Sequence, residues 1–192
     1  MEADWEVEIG PGLPAIQAPW EGFVDLRTSS IGVSQIAEGA RYPALGRALT
    51  LLNEARSLVF TAKCDVWELS GEEIDPDEFD APAAQCRCGL ASYIDLLQRD
   101  VRNFQSFAHH EDWMKRLTAQ LRATAIENGR VDLVLRSAVV EGVQGYGVTL
   151  YAAGCGIDKD AASAHWEAVL TAALLVTMKP DAVVPAVPPA GE

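Results

Sequence analysis

Residues 129–156, GRVDLVLRSAVVEGVQGYGVTLYAAGCG, constrain the fold more than any other stretch of this chain. Two runs rich in Val, Leu and Tyr are separated by Glu141-Gly142, the pattern of two antiparallel strands joined by a short turn. In the first run Val131, Leu133, Leu135, Ser137 and Val139 alternate with Asp132, Val134, Arg136, Ala138 and Val140. Both sets contain apolar residues, so neither face of this hairpin is expected to be freely solvated. A hairpin alone is marginal in water, so further strands or helices must cover it.

The remaining elements are read around that hairpin. Asp4 to Ile9 alternates acidic and apolar residues and predicts a short strand with one wet face. Gly10 to Pro19 carries Pro11, Pro14 and Pro19 and reads as an extended connection, with a second short strand at Gly22–Arg27. Thr28–Gly39 is assigned a loop or broken helical turn. Leu45, Ala48, Leu49 and Leu52 recur at helical spacing behind Pro43, predicting a helix over 42–56. Ser57–Leu69 alternates as a strand, taken to be central in the sheet. Ser70–Gly89, with GEEIDPDEFD, reads as a long acidic loop.

Three helices complete the prediction. Leu90, Tyr93, Ile94, Leu97, Val101 and Phe104 form a stripe that predicts one from Leu90 to Phe107. Another starts near His110 and ends at Asn128-Gly129. Asp158 caps the last, whose buried face is Ala162, Trp166, Val169, Leu170, Ala173, Leu174 and Thr177. The tail 180–192 is proline-rich and is expected to be disordered or extended.

A chain of 192 residues, 49% hydrophobic and 22% charged, can bury a core without metal or disulfide staples. Its net charge of −13 opposes binding to nucleic acid or an anionic membrane. The amino terminus has no basic, apolar leader pattern, and no apolar run nears the ~20 residues that cross a bilayer. A soluble cytoplasmic protein is therefore expected, with its four cysteines reduced and Cys64 and Cys155 as buried free thiols.

Motifs for chemistry are sparse. Cys86 and Cys88 have one residue between them and no second pair, which does not suit a structural zinc site, so no metal is expected. Asp75–Asp80 lacks the glycine and the distal glutamate of a calcium loop. No Gly-x-Ser-x-Gly occurs, and GYG at 145–147 and GCG at 154–156 lack phosphate-loop spacing; their expected role is a turn, a bulge or close backbone approach. His109 and His110 read as capping and packing groups, and His165 as partly buried structure.

One constellation stands out. Lys63, Asp65 and Trp67 project to one side of their strand, and if the hairpin joins the same sheet, Asp132 and Arg136, or Thr149 and Tyr151, share that face. The reading is an α+β domain over 1–179: a mainly antiparallel sheet of about four strands with helices largely on one face. It acts by binding a partner protein or small ligand through Lys63, Asp65, Trp67, Arg136, Thr149 and Tyr151, without a cofactor. The alternative is a small enzyme using Asp65, Glu68 or His109 as acid or base. Exposed apolar residues on the second sheet face, Val134, Ala138 and Val140 among them, further predict a two-fold homodimer.

Overall fold

A computed structural model describes residues 1–28 and 30–179. The expected tail 180–192 lies outside the described residues. The hairpin is present: β5 (Gly129–Val140) pairs antiparallel with β6 (Val143–Gly156). Its turn residues Glu141 and Gly142 both have positive φ, 49° and 84°, as a two-residue hairpin turn requires. Glu141 holds that conformation with its N–H donating to the Ala18 carbonyl at 2.9 Å and its carboxylate accepting from Arg27 at 3.2 Å.

Around the hairpin stand β1 (Glu2–Glu8), β2 (Ile16–Ala18), β3 (Val59–Ser70) and β4 (Cys88–Gln98). They form one mixed six-stranded sheet in the order β1-β5-β6-β4-β3, with β2 following β1 along the edge of β5. Both amino-terminal strands run parallel to β5, and the other pairings are antiparallel. The sheet thus has more strands than the four expected and is not mainly antiparallel at its β1 edge. β3 is an edge strand, not a central one.

The helices are α1 (Ala37–Arg41), α2 (Pro43–Asn53), α3 (Val101–Phe104), α4 (Phe107–Arg122) and α5 (Lys159–Thr177). The predicted helix over 90–107 is corrected: its first half is β4. This strand lies between β3 and β6, and Leu90, Ala91, Ser92, Ile94, Leu96 and Leu97 are all buried. Burial on both faces makes the apolar run nearly continuous, and such a run also satisfies helical spacing. The strand placed at Gly22–Arg27 is likewise absent, and the short strand lies earlier, at Ile16–Ala18.

The long helices α2, α4 and α5 cover one face. Leu45 and Leu49 of α2, Met114, Leu117 and Leu121 of α4, and Trp166, Val169 and Leu170 of α5 join one apolar core. They pack on Ile94 and Leu96 of β4, Val131, Leu133 and Leu135 of β5, and Val148 and Leu150 of β6. GCG does what close backbone approach requires: a Cβ on Gly154 would lie 2.7 Å from the His165 carbonyl carbon, and one on Gly156 would lie 2.8 Å from that of Ala161. These two glycines let α5 sit against β6.

Among the described residues, the other face is covered only at its two ends. At one end β2 and α3 build a second cluster of Ile16, Ala18, Phe60, Leu97, Phe104 and Ala138. Gly145 and Gly147 of GYG make room there, since a Cβ on Gly145 would meet the Phe104 ring at 2.5 Å and one on Gly147 would meet Ile16 at 2.8 Å. α3 is thus a short helix on the face opposite the long ones. At the other end the acidic loop 71–87 packs Ile74 and Phe79 over Cys155.

Cys155 is buried as expected, but it is not a free thiol: it forms a disulfide with Cys86, 69 residues away in sequence. The expectation of reduced cysteines rested on the absence of a leader pattern, which carries no information about which thiols meet in space. Cys64 and Cys88 are free. Burial pushes the Cys64 thiol up to about 12, with the Glu38, Asp65 and Asp95 carboxylates adding to the effect. Among the described residues, no helix is long and apolar enough to cross a membrane.

Candidate functional site on the open sheet face

Between its two covered ends, the face opposite the long helices carries a line of directly paired residues across five strands. Asp65 of β3 pairs with Tyr93 of β4, Tyr93 with Tyr151 of β6, Tyr151 with Asp132 of β5, and Asp132 with Asp4 of β1. Side chains in such a line share one face because the pleat puts paired residues on the same side. Two residues along β3, Trp67 completes an aromatic row: its ring lies 6.3 Å from Tyr93, which lies 6.0 Å from Tyr151. Trp67 is 37% exposed, and the two tyrosines are half-buried against their neighbours.

Beside this row runs a buried polar chain. Asp95 pairs with Thr149 and is only 5% exposed. The Thr149 hydroxyl donates to Asp95 at 2.6 Å and accepts from Arg136 at 3.1 Å. Arg136 donates twice to Glu8, at 3.0 and 2.8 Å, and its guanidinium stands 5.8 Å from the Tyr151 ring centre. Burial raises the Asp95 carboxyl, and the bonds from Thr149 and the charges of Arg136 and Lys63 offset only part of that rise. Burial also raises the Tyr93 phenol, with Asp95 and Asp65 adding to it. Burial opposes the Arg136 charge, yet Glu8 and Tyr151 outweigh it and hold the guanidinium protonated.

The sheet brings most of the sequence-derived site residues together. Asp65, Trp67, Arg136, Thr149 and Tyr151 lie on this face, with Asp132 beside them. Lys63 sits at its margin, where β3 shifts register between Thr61 and Cys64 and the ammonium stands 5.4 Å from the Trp20 ring. Tyr93, Asp95 and Glu8 are the members that sequence reasoning missed. Tyr93 and Asp95 were hidden by the helical reading of β4, although the alternation Ala91, Tyr93, Asp95 was present in the sequence.

The three alternative acid or base residues occupy separate places. Asp65 is on the open face, and its carboxylate accepts from the Val66 N–H at 2.7 Å. Glu68, three positions on, faces the helix side and pairs with Lys159 of α5 at 2.6 Å. His109 lies in the first turn of α4, 5.8 Å from the His110 ring.

Several recesses border the sheet, and three of them adjoin residues named above. One of about 310 Å³ has walls that include Glu6, Glu8, Asp132, Arg136 and Tyr151. One of about 280 Å³ lies at the β3 edge between Trp20, Lys63, Cys64 and Tyr93. The largest, about 510 Å³, lies on the helix side among Arg41, Glu68, Cys88 and Lys159. Size does not single out that last recess, because its Glu68 and Lys159 are exposed and neutralise each other. The first two flank the aromatic row, and the first is walled by Arg136 of the buried polar chain. No family model, curated protein or solved structure matches the chain.

Proposed function

We propose that the protein is a non-catalytic binding module whose site is the open middle of the sheet. The observation that carries this reading is the row Trp67–Tyr93–Tyr151, left accessible across three adjacent strands while both ends of the same face are capped by the chain itself. A face meant only to be solvated does not need three large rings, and one meant only as core would be covered. The Asp95–Thr149–Arg136–Glu8 chain supports it by fixing the floor beside Tyr151, because each member's rotamer is held by its neighbours. Placement of Asp65, Glu68 and His109 on three surfaces offers no acid–base pair for the catalytic alternative.

A homodimer across this face is a weaker reading. Its motivation was an exposed apolar patch, but Val134 and Ala138 are 3% and 2% exposed, Ala138 pairing with Ile16 of β2 and packing in one cluster with Ile16, Ala18 and Phe104. The test is a thermal-shift screen of the full chain and of Tyr93→Ala and Tyr151→Ala against small polar and aromatic compounds. Ligands that raise the midpoint of the parent, and fail to do so for variants that still unfold cooperatively, support the site. Hits that stabilise parent and variants equally refute it.

A further inference from the structure

We infer that the occupant of the open face is an extended peptide segment of a partner protein carrying lysine or arginine at alternate positions; this rests on the binding-module reading above and names its partner class. Charge is the first ground. The line Asp65, Tyr93, Tyr151, Asp132, Asp4 places carboxylates on both sides of two aromatic rings, and Glu6 and Glu8 extend the acidic side along β1. The two arginines of this face are already neutralised, Arg130 by Asp132 at 2.6 Å and by Glu78, and Arg136 by Glu8 at 2.8 Å. Asp65 and Glu6 have no cationic partner among the described residues, and Asp4 reaches only Arg122, at 3.6 Å. The face therefore presents unpaired negative charge on a chain whose net charge is −13. A second copy would bring like charge onto like charge, and an anionic ligand would be repelled.

The rings give the second ground. An aromatic face attracts a cation lying within about 6 Å of its centre. The protein already uses that contact on this face, with the Arg136 guanidinium 5.8 Å from Tyr151, and at its margin, with Lys63 5.4 Å from Trp20. No such cation stands over Tyr93 or Trp67 among the described residues.

Spacing is the third ground, and it favours a peptide over a small cation. The ring centres are separated by 6.3 and 6.0 Å, running across the strands from β3 to β6. In an extended chain, side chains two residues apart point the same way and are about 6.7 Å apart. Cationic side chains at alternate positions thus meet successive rings, while the strand-end caps leave the path across the strands open towards Asp132 and Asp4.

Calorimetric titration of the full chain with three synthetic dodecapeptides tests this: alternating Lys-Ser, a block of six lysines followed by six serines, and alternating Glu-Ser. The alternating lysine peptide is expected to bind about tenfold tighter than the block peptide of equal charge. Tyr93→Ala and Tyr151→Ala should each weaken it about fivefold while Tyr151→Phe restores binding, and the affinity should fall with added salt. Equal binding of both lysine peptides with no loss in the tyrosine variants overturns the inference, since general charge attraction then suffices. Binding of the Glu-Ser peptide or of neutral compounds at Tyr93 and Tyr151, without the lysine peptide, overturns the cationic class and leaves the binding-module reading standing. No binding at this face by any probe removes both. A concentration-dependent dimer that Tyr151→Ala dissociates also overturns it, because a second copy is then the occupant.

Discussion

Gly154→Ala should destabilise the protein substantially, although the substitution adds only one methyl group to a strand. Local propensity points the other way: glycine inside a strand costs roughly 0.5–1 kcal/mol relative to alanine. Packing decides against propensity. The added Cβ would contact the Trp166 backbone nitrogen, with the His165 carbonyl carbon at 2.7 Å and the Trp166 Cα at 2.8 Å. These are backbone atoms in the middle of α5, so no rotamer change relieves them; the whole helix must move away from β6. That movement loosens Trp166, whose buried ring stacks edge-on against Tyr42 at 5.7 Å and donates from Nε1 to Ser92 at 2.9 Å. Overpacking a well-filled site costs typically 1–3 kcal/mol, and contact with fixed backbone belongs at or above the top of that range. Subtracting the propensity gain leaves a net loss of about 2–3 kcal/mol. For a chain of this size that is a fall of roughly 4–12 °C in melting temperature. Gly10→Ala is the control, because its Cβ meets only the Leu13 side chain at 3.6 Å, and it should stay within about 0.5 kcal/mol of the parent. Thermal and urea unfolding followed by circular dichroism measure both. A Gly154→Ala protein as stable as the parent would refute the close seating of α5 on β6.

Three further outcomes are expected. Asp95→Asn should stabilise the protein at neutral pH: burial raises the folded-state carboxyl, so the charge costs stability as pH rises from the unfolded value near 4 through the folded one, and the advantage of Asn should shrink as pH falls back towards 4. His110 has the opposite sign, since burial lowers its imidazole, Nδ1 is held by the Ser106 carbonyl at 2.9 Å and the buried Nε2 has no partner; stability should fall as pH drops below about 6.5, by at most about 1.4 kcal/mol per pH unit, and His110→Leu should flatten that slope in urea titrations. Thiol counting in non-reducing denaturant should find the two free cysteines, Cys64 and Cys88, and reduction should lower stability by about 2–4 kcal/mol because Cys86–Cys155 closes a long loop; four reactive thiols would contradict the bond.

Local signals carried the hairpin, the cap of α5 and the alternation of β3 from Cys64 onward, whereas α4 runs from Phe107, behind a Ser106 cap, to Arg122 and not from near His110 to Asn128. Asp158 accepts from the Ala161 N–H at 2.8 Å, as its position before a long amphipathic run implies. Elements decided by distant partners were not legible. β2 is three residues between Pro14 and Pro19, and it forms because β5 has an unpaired edge once β1 ends at Glu8. β4 was obscured by its own burial, and with it the Tyr93 and Asp95 members of the site. Alternation alone placed Lys63, Asp65 and Trp67 on one side, and the hairpin period placed Arg136 with Thr149 and Tyr151. Which side of the sheet would remain open depended on where α2, α4 and α5 pack; Gly154 and Gly156 admit α5 on one face, and Gly145 and Gly147 admit Phe104 and Ile16 on the other. The GYG and GCG motifs were read as sites of close approach; their opposite faces follow from the pleat once the register is known.

Mapping amide and aromatic-ring shifts of the labelled full chain during titration with the alternating Lys-Ser peptide tests whether the open face is where this protein binds. The expected result is a contiguous set of shifts at Asp65, Trp67, Tyr93, Tyr151, Asp132 and Asp4, fading at Leu117 and Trp166 on the helix side. Shifts centred instead on Cys88 and Lys159, or spread evenly over the acidic surface, would contradict it.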